Sequence, residues 1–409
     1  MPEAHRPILS VEAALDRVLA AVHVLEPERL RLLQAAGRVL AESVLGDRDI
    51  PPLTNSAMDG YAVRGADLAD AQLPIQLTVV GEIAAGYVSE VGVGSGQAMR
   101  IMTGAPIPKG TDTVVRFEDT QLNGDVLSIL QPPRAGANVR QAGEDVRTGQ
   151  VVLEAGAVLR PQEIGMLAAV GCVDVAAVRR PRVAILATGD EVVSPDQTPG
   201  PGQIRDANSY IVAAQVQTCG GIPILLGVAR DREDLVREGM RAALDRQADL
   251  IITSGGVSIG DFDLVKQVLA AEGEMQFWSL NMKPGRPLAF GVIDGVPLLG
   301  LPGNPVAAMI STELFARPAL FKMQGLVDWE RPIVQARLTQ SIERKDGRRH
   351  YLRVRLRETA EGCEASLTGD QGSGILRSLV QADGLAVIPE DVDHLPAGAM
   401  VGVLLLPRT

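Results

Sequence analysis

The chain has 409 residues, a length that suggests two to four domains at roughly 150 residues each. Apolar residues make up 46% and charged residues 22%, which excludes a globally disordered chain. Aromatics at 3% argue against base-stacking platforms and membrane belts, and the net charge of −11 opposes nucleic acid as a global partner. The three Cys lie far apart with no CxxC, and with only four His they argue against a structural zinc site. The sequence has no long apolar run and no basic-then-apolar opening, so the expectation is a soluble, cytoplasmic protein with no membrane partner. Gly (43) and Pro (26) are abundant and fall in short clusters, which implies many tight loops.

In chain order, Ser10 is placed to cap a helix in which Val11, Ala14, Leu15, Val18, Leu19 and Val22 recur at helical spacing. A second helix is expected over 28–42. Between 51 and 140, β-prone runs at 75–80, 98–102 and 113–117 alternate with Gly/Pro loops, which predicts a small, mostly β unit. Pro161 opens a helix that Gly171 stops. From 181 to 324, strands at 182–187, 222–228, 250–253, 287–293 and 296–299 alternate with helices. Those helices are expected at 208–218, 232–245, 262–271 and from Pro305 to about Phe321. This alternation predicts a doubly wound parallel sheet, with ligands at the carboxyl ends of its strands. The remaining residues read as short strands at 333–338, 351–356, 384–388 and 400–406, a small β-barrel or sandwich.

The loops after the α/β strands carry the chemistry. Thr188-Gly189-Asp190-Glu191, Ser254-Gly255-Gly256-Val257-Ser258 and Leu301-Pro302-Gly303-Asn304-Pro305 would all lie at one sheet edge. Glycines there let the backbone approach a ligand, and helix N-termini offer free N–H groups to an anion. The spacing is neither GxGxxG nor a P-loop. Mg²⁺ held between carboxylates and substrate phosphates fits better, with Glu191, Asp231 and Asp263 as candidates and Asp190 and Asp261 as alternative helix caps. Lys283-Pro284-Gly285-Arg286-Pro287 is the clearest basic element, a clamp suited to a tetrahedral oxyanion or phosphate; the bland reading is a solvated turn. Asp59 before Gly60, Thr103 before Gly104, and Asp145 in Gly143-Glu144-Asp145 mark three further loops, each of which taken singly reads as a turn. None of the four His sits in a motif, which argues against a nucleophilic hydrolase.

The segments 51–64, 100–108, 143–153, 187–191, 254–263, 283–287 and 300–305 closely resemble the molybdopterin molybdenumtransferase family, the enzymes of molybdenum cofactor assembly that include the E domain of gephyrin. The Ser-Gly-Gly-Val-Ser-x-Gly-x-x-Asp and Leu-Pro-Gly-Asn-Pro signatures carry the resemblance, which runs along the chain in order. It implies a homodimer of four-domain subunits: a discontinuous linker domain (1–47 and 141–178), an inserted mostly β domain (48–140), a molybdopterin-binding α/β domain (179–326) and a C-terminal β-barrel (327–409). The implied reaction takes adenylyl-molybdopterin and molybdate with Mg²⁺ and yields molybdenum cofactor and AMP. Asp59, Thr103, Asp145, Glu191, Asp231 and Asp263 would be the catalytic set, with Glu191 and Asp263 on the metal. Ser254, Gly255, Gly256, Ser258, Lys283, Arg286, Pro287, Pro302, Gly303, Asn304, Pro305, Arg348 and Ser373 would bind substrate.

The upstream molybdopterin adenylyltransferase and molybdoenzyme acceptors are further implied partners. Three positions depart from the family pattern: Arg286 stands where Lys is frequent, Ala307 where Ser is common, and Ser279 where some members carry Lys. Two rival readings are an adenylyltransferase built on the α/β domain and a non-catalytic scaffold. The loops outside that domain weigh against the first and the acidic loops against the second.

Overall fold

The computed structural model describes residues 8–69, 71–255 and 273–407. The chain divides into two compact units, Met1–Glu28 with Val178–Thr409, and Arg29–Ala177.

The first unit opens with β1 (Ile8–Leu9) and α1 (Val11–Ala20). Ser10 accepts the Ala13 N–H at 3.1 Å, which satisfies one donor of the first turn. Val11, Ala14 and Val18 share the buried face that the spacing predicts.

The second unit carries a six-stranded sheet of β2 (Gly60–Val63), β3 (Ile75–Ile83), β4 (Gln97–Ile101), β5 (Thr113–Arg116), β6 (Thr120–Asn123) and β7 (Val126–Ile129), in the order β5-β2-β4-β3-β7-β6. Leu77, Val115, Leu127 and Ile129 fill one side of it, and Met99, Ile101 and Val114 the other. The helix expected over 28–42 does not form. Pro27–Arg31 is a strand, Leu32–Ala35 a single 3₁₀ turn, and Gly37 at φ +76° ends it. Val39 and Leu40 then bridge to Val158 and Ala177, so pairing with distant strands overrides the local helical pattern. α2 (Pro161–Ala169) follows as expected.

The first unit resumes with β8 (Arg182–Thr188), α3 (Asn208–Thr218), β9 (Ile222–Ala229), α4 (Glu233–Asp245) and β10 (Leu250–Ser254). Next come β11 (Gly273–Leu280), β12 (Met282–Lys283), β13 (Pro287–Ile293) and β14 (Val296–Leu301). The sheet order is β1-β11-β13-β14-β10-β8-β9. β9, β8, β10 and β14 are parallel, whereas β13 runs antiparallel to both β14 and β11. The wholly parallel expectation therefore fails at one end. Asp294 and Gly295, at φ +47° and +81°, form a two-residue hairpin that reverses the chain. The expected helix 262–271 lies outside the described residues.

α5 (Pro305–Ser311) and α6 (Arg317–Met323) are joined by one π turn, Thr312–Ala316, so the long helix expected from Pro305 is interrupted. Within that turn the buried Glu313 carboxylate takes Arg317 at 2.6 Å and Arg331 at 2.7 Å. The last strands are β15 (Ile333–Leu338), β16 (Arg349–Thr359), β17 (Gly362–Leu367), β18 (Gly384–Ile388) and β19 (Met400–Leu405). β16 pairs with both β17 and β18, which closes the circuit β16-β17-β15-β19-β18 into a five-stranded barrel. Closure pairs each of these five strands on both sides.

Candidate active site

In the first unit, the carboxyl ends of β8, β10 and β14 share one edge of the sheet. Because β13 is antiparallel, the 281–286 turn between β11 and β13 lies at that edge too. Asn208, at the start of α3, donates to Ser254 Oγ and to the Gly303 carbonyl, both at 2.7 Å, and so ties two of the loops together. Gly255 sits at φ +94°, and a Cβ there would stand 2.5 Å from the Thr188 carbonyl oxygen; only glycine fits between β8 and β10. Gly303 lies against Gly255: a Cβ built on Gly303 would stand 3.7 Å from the Gly255 Cα. Pro302 is buried, and Pro305 opens α5.

The acidic side comes from the β8 and β9 loops. A Cβ on Gly189 would stand 2.6 Å from Glu191 Oε2, so the bare backbone is what lets Glu191 fold its carboxylate back over the loop. Among the described residues that carboxylate makes no hydrogen bond. Asp231 donates its N–H to Asp190 Oδ1 at 3.3 Å, which joins the two loops; Asp231 precedes α4, so this bond is not a helix cap. These are hard oxygen donors of the kind Mg²⁺ takes. No three His, Cys, Asp or Glu side chains converge as a complete metal cage among the described residues. Asp263, with Asp261, Gly256 and Ser258, lies outside them.

The backbone of the basic turn is buried at Pro284 and Gly285, while the Lys283 and Arg286 side chains are exposed. Pro284 and Gly285 are buried, and a Cβ on Gly285 (φ +99°) would stand 2.9 Å from Met282 Cε and 3.0 Å from Ser311 Oγ of α5. β12 adds in parallel to β16, with Lys283 opposite His350. Arg286 donates from Nε to Ser279 Oγ at 2.8 Å, and its terminal nitrogens make no hydrogen bond among the described residues. Pro287 starts β13 opposite Ser279. Lys283 Nζ lies 3.5 Å from Asp346, whose carboxylate also meets His350 Nε2 at 2.9 Å. Burial raises the Asp346 carboxyl, but the His350 hydrogen bond and the His350 and Lys283 charges outweigh it and hold it below the usual carboxylate range. Arg348 donates its N–H to Asp346 at 3.4 Å, and its carbonyl accepts from Arg344. Ser373 accepts the Val306 N–H at 3.2 Å, which docks its loop onto the start of α5.

In the second unit, Asp59 precedes β2 and Thr103 follows β4, and these strands are paired Gly60 to Ile101. Asp59 Oδ1 accepts both the N–H and the hydroxyl of Thr103, each at 2.7 Å. The backbone bond and then the hydroxyl hold the Asp59 carboxyl below its usual range. A Cβ on Gly60 would stand 1.9 Å from the Val115 carbonyl oxygen, which explains the glycine after Asp59. Asp145 lines a cavity of about 440 Å³ with Ile50, Pro51, Asn55, Arg140 and Glu144. Asn55 and Arg140 face each other across a short antiparallel pair, and the buried Asn55 Oδ1 has no partner among the described residues.

Known proteins match this chain along nearly its whole length. Residues 9–171 match the MoeA N-terminal region (domain I and II), 184–322 a probable molybdopterin binding domain, and 335–406 the MoeA C-terminal region (domain IV). A molybdopterin molybdenumtransferase of Haemophilus influenzae is 37% identical over 381 residues, covering 92% of this chain and 93% of that one. One from Nostoc sp. is 40% identical over 391 residues, covering 93% and 89%. The chain belongs to the molybdopterin molybdenumtransferase family. The solved structure of a molybdopterin biosynthesis protein MoeA from Pyrococcus horikoshii OT3 superposes with a TM-score of 0.82 at 33% identity, over 98% of this chain and 100% of that one. Like its relatives, the chain is a transferase of molybdenum cofactor biosynthesis, and no described helix is long and apolar enough to cross a membrane.

Against that background, two residues that pattern alone passed over stand out. Arg353 is 1% exposed in β16, with Nε donating to Ser378 Oγ at 3.0 Å and a terminal nitrogen to the Gly372 carbonyl at 3.0 Å. Burial pushes this guanidinium down to about 10, still cationic at neutral pH. It thereby fixes the loop that ends at Ser373. The available signal was an arginine within the otherwise apolar alternation of 350–354. Asn55, the other, carried no signal beyond its place in a polar turn.

Proposed function

We propose that this molybdopterin molybdenumtransferase family member inserts molybdate into adenylyl-molybdopterin and releases molybdenum cofactor and AMP. The observation that carries the reading is the placement of the Lys283–Arg286 turn. Its backbone is locked against α5, and it stands at the same sheet edge as the Ser254-Gly255 and Pro302–Pro305 loops. A dianionic oxyanion in an acidic protein needs such a concentrated cationic pocket. Lys283 offers a point charge, and Arg286, held at Nε by Ser279, keeps its terminal nitrogens for a second contact. Ser373, Arg348, Gly303 and Asn304 complete the polar lining, and Gly256 and Ser258, outside the described residues, stay on the list of proposed substrate-binding residues.

At the adenylate, an oxygen of water or of molybdate adds to the phosphorus, the bond to the bridging oxygen breaks, the molybdopterin phosphate keeps that oxygen and AMP leaves carrying the new one. Glu191 and Asp231 supply the carboxylates there, and Asp59, Thr103 and Asp145 belong to the same proposed catalytic set. Mg²⁺, held by Glu191 and Asp263, would polarise the phosphoryl oxygens of the anhydride. The protein acts in the cytoplasm as a homodimer of four-domain subunits, receiving its substrate from an adenylyltransferase and delivering product to molybdoenzymes. The test is incubation of purified protein with adenylyl-molybdopterin, Mg²⁺ and molybdate. Molybdate-dependent AMP release supports the reading, and AMP formation that ignores molybdate overturns it.

A further inference from the structure

Residues 344–350, Arg344-Lys345-Asp346-Gly347-Arg348-Arg349-His350, form a basic run in an acidic chain, and Asp346 is the one acid within it. The parallel pairing of β12 with β16 brings that run against the Lys283 turn, with the Arg349 N–H donating to the Asn281 carbonyl at 3.0 Å. Two of its cations are committed elsewhere. Arg344 donates to the Val392 carbonyl at 2.6 Å and to that of Arg348, and Arg349 meets Glu12 and Glu390. The Lys283 side chain, 56% exposed, meets a single carboxylate among the described residues, that of Asp346 at 3.5 Å. Asp346 is fixed from behind: its two oxygens lie 2.9 and 3.1 Å from His350 Nε2, and Oδ1 accepts the Arg348 N–H. Burial pushes the His350 ring down, so the ring is neutral at neutral pH. An ionised carboxylate only accepts, so His350 Nε2 carries the proton and donates it. Asp346 therefore keeps its full charge and points it at Lys283.

We propose that Asp346 is a built-in counter-ion of the oxyanion site, which holds Lys283 while the site is empty and must yield it when molybdate binds. A carboxylate offers a lysine the same charged oxygens as an oxyanion does, so the two compete for one ammonium. The exposure of the pair makes the exchange possible, because an ion pair open to water is weak and is given up at a cost of only a few-fold in affinity. The inference rests on the function proposed above. It adds to that function a residue that opposes its substrate: through Asp346, the C-terminal barrel sets how tightly the sheet edge takes the oxyanion. A residue that merely shaped the turn would act in the opposite sense, since its loss would weaken binding.

The experiment measures equilibrium binding of molybdate alone, by calorimetry at fixed ionic strength, to the full-length protein and to Asp346→Asn, Lys283→Ala and the double variant. Asn keeps an oxygen for the Arg348 N–H, so the turn is preserved while the charge is removed. The expected result is that Asp346→Asn binds molybdate about two- to five-fold more tightly than wild type. Added to Lys283→Ala, the same substitution should give a smaller gain, because the ammonium being contested is gone. Should Asp346→Asn fail to fold, Asp346→Ser, which also keeps an acceptor for that N–H, decides by the same comparison. Unchanged or weaker binding in the variant, an equal gain with and without Lys283, or no binding to any of the proteins overturns the proposal. Molybdate-dependent AMP release is assayed in parallel on wild type. A failure of the counter-ion is thereby read apart from a failure of the reaction.

Discussion

Arg286 donates from Nε to the Ser279 hydroxyl at 2.8 Å, across the first rung of the β11–β13 pair. The two residues are both departures from the family pattern noted in the sequence, and they touch. The hydroxyl orients a planar fork where a lysine would present a single flexible charge. Arg286→Lys should therefore use molybdate less well than wild type, yet better than Arg286→Ala. Ser279→Ala, which frees the fork without removing charge, should cost only a few-fold. AMP release against molybdate concentration for the three variants orders them. A Ser279→Ala protein as impaired as Arg286→Ala would contradict the orienting role.

Gly285 tests whether the basic turn is anchored. At φ +99°, with Met282 and Ser311 within 3.0 Å of a would-be Cβ, Gly285→Ala should lose about 1–3 kcal/mol of stability and weaken molybdate use with it. Thermal melts beside turnover assays decide. A variant with unchanged melting and activity would mean that the turn can move freely.

Asp59 and Thr103 make a prediction about pH. The folded Asp59 carboxyl titrates below the unfolded value of about 3.9. Its contribution to stability is thus present above that value and is lost as pH falls through the folded pKa. Thr103→Ala removes the hydroxyl bond and keeps the backbone bond, so the Asp59 titration followed by carbon-13 NMR should move up only part of the way. No movement would show that the hydroxyl contributes nothing.

How much of this was legible in the sequence depended on how local each signal was. The helix 208–218 and the strands 287–293, 333–338 and 384–388 were predicted to the residue, because periodicity and flanking glycines are properties of neighbours in the chain. The Ser10 cap was legible for the same reason. The 28–42 segment misled because Val39 and Leu40 take their partners more than a hundred residues away. The antiparallel end of the sheet did have a local signal, the Asp294-Gly295 turn. For the site, the glycine loops, Lys283 and Arg286 announced themselves by composition. Arg353 did not, since its role comes from burial, and burial follows from the barrel closing.

Arg353 should act as a positioning residue. Arg353→Met removes the donor to Gly372 and leaves that carbonyl unpaired, at a cost of roughly 1–3 kcal/mol. The loop bearing Ser373 should loosen, and molybdate use should fall further than the change in melting alone accounts for. Arg353→Lys keeps charge without the fork and should recover only part of the activity. Full recovery by lysine would mean that the buried charge alone matters.

The proposed homodimer, with its site shared between subunits, makes a complementation prediction. Asp59→Ala and Glu191→Ala proteins are each expected to be inactive, and co-expressed they should regain activity through hybrid dimers that keep one intact set. Random pairing predicts about a quarter of wild-type turnover. No recovery in hybrids isolated by two affinity tags would contradict sharing between subunits.

The central claim is that Lys283 and Arg286 bind the oxyanion. The measurement is AMP release as a function of molybdate concentration, at fixed adenylyl-molybdopterin and ionic strength, since salt screens such contacts. Charge-assisted bonds of about 1.5–3 kcal/mol predict that Lys283→Ala and Arg286→Ala each raise the half-saturating molybdate concentration by about one to two orders of magnitude, with melting unchanged. An unaltered molybdate dependence in both variants would contradict the account and move the oxyanion pocket elsewhere.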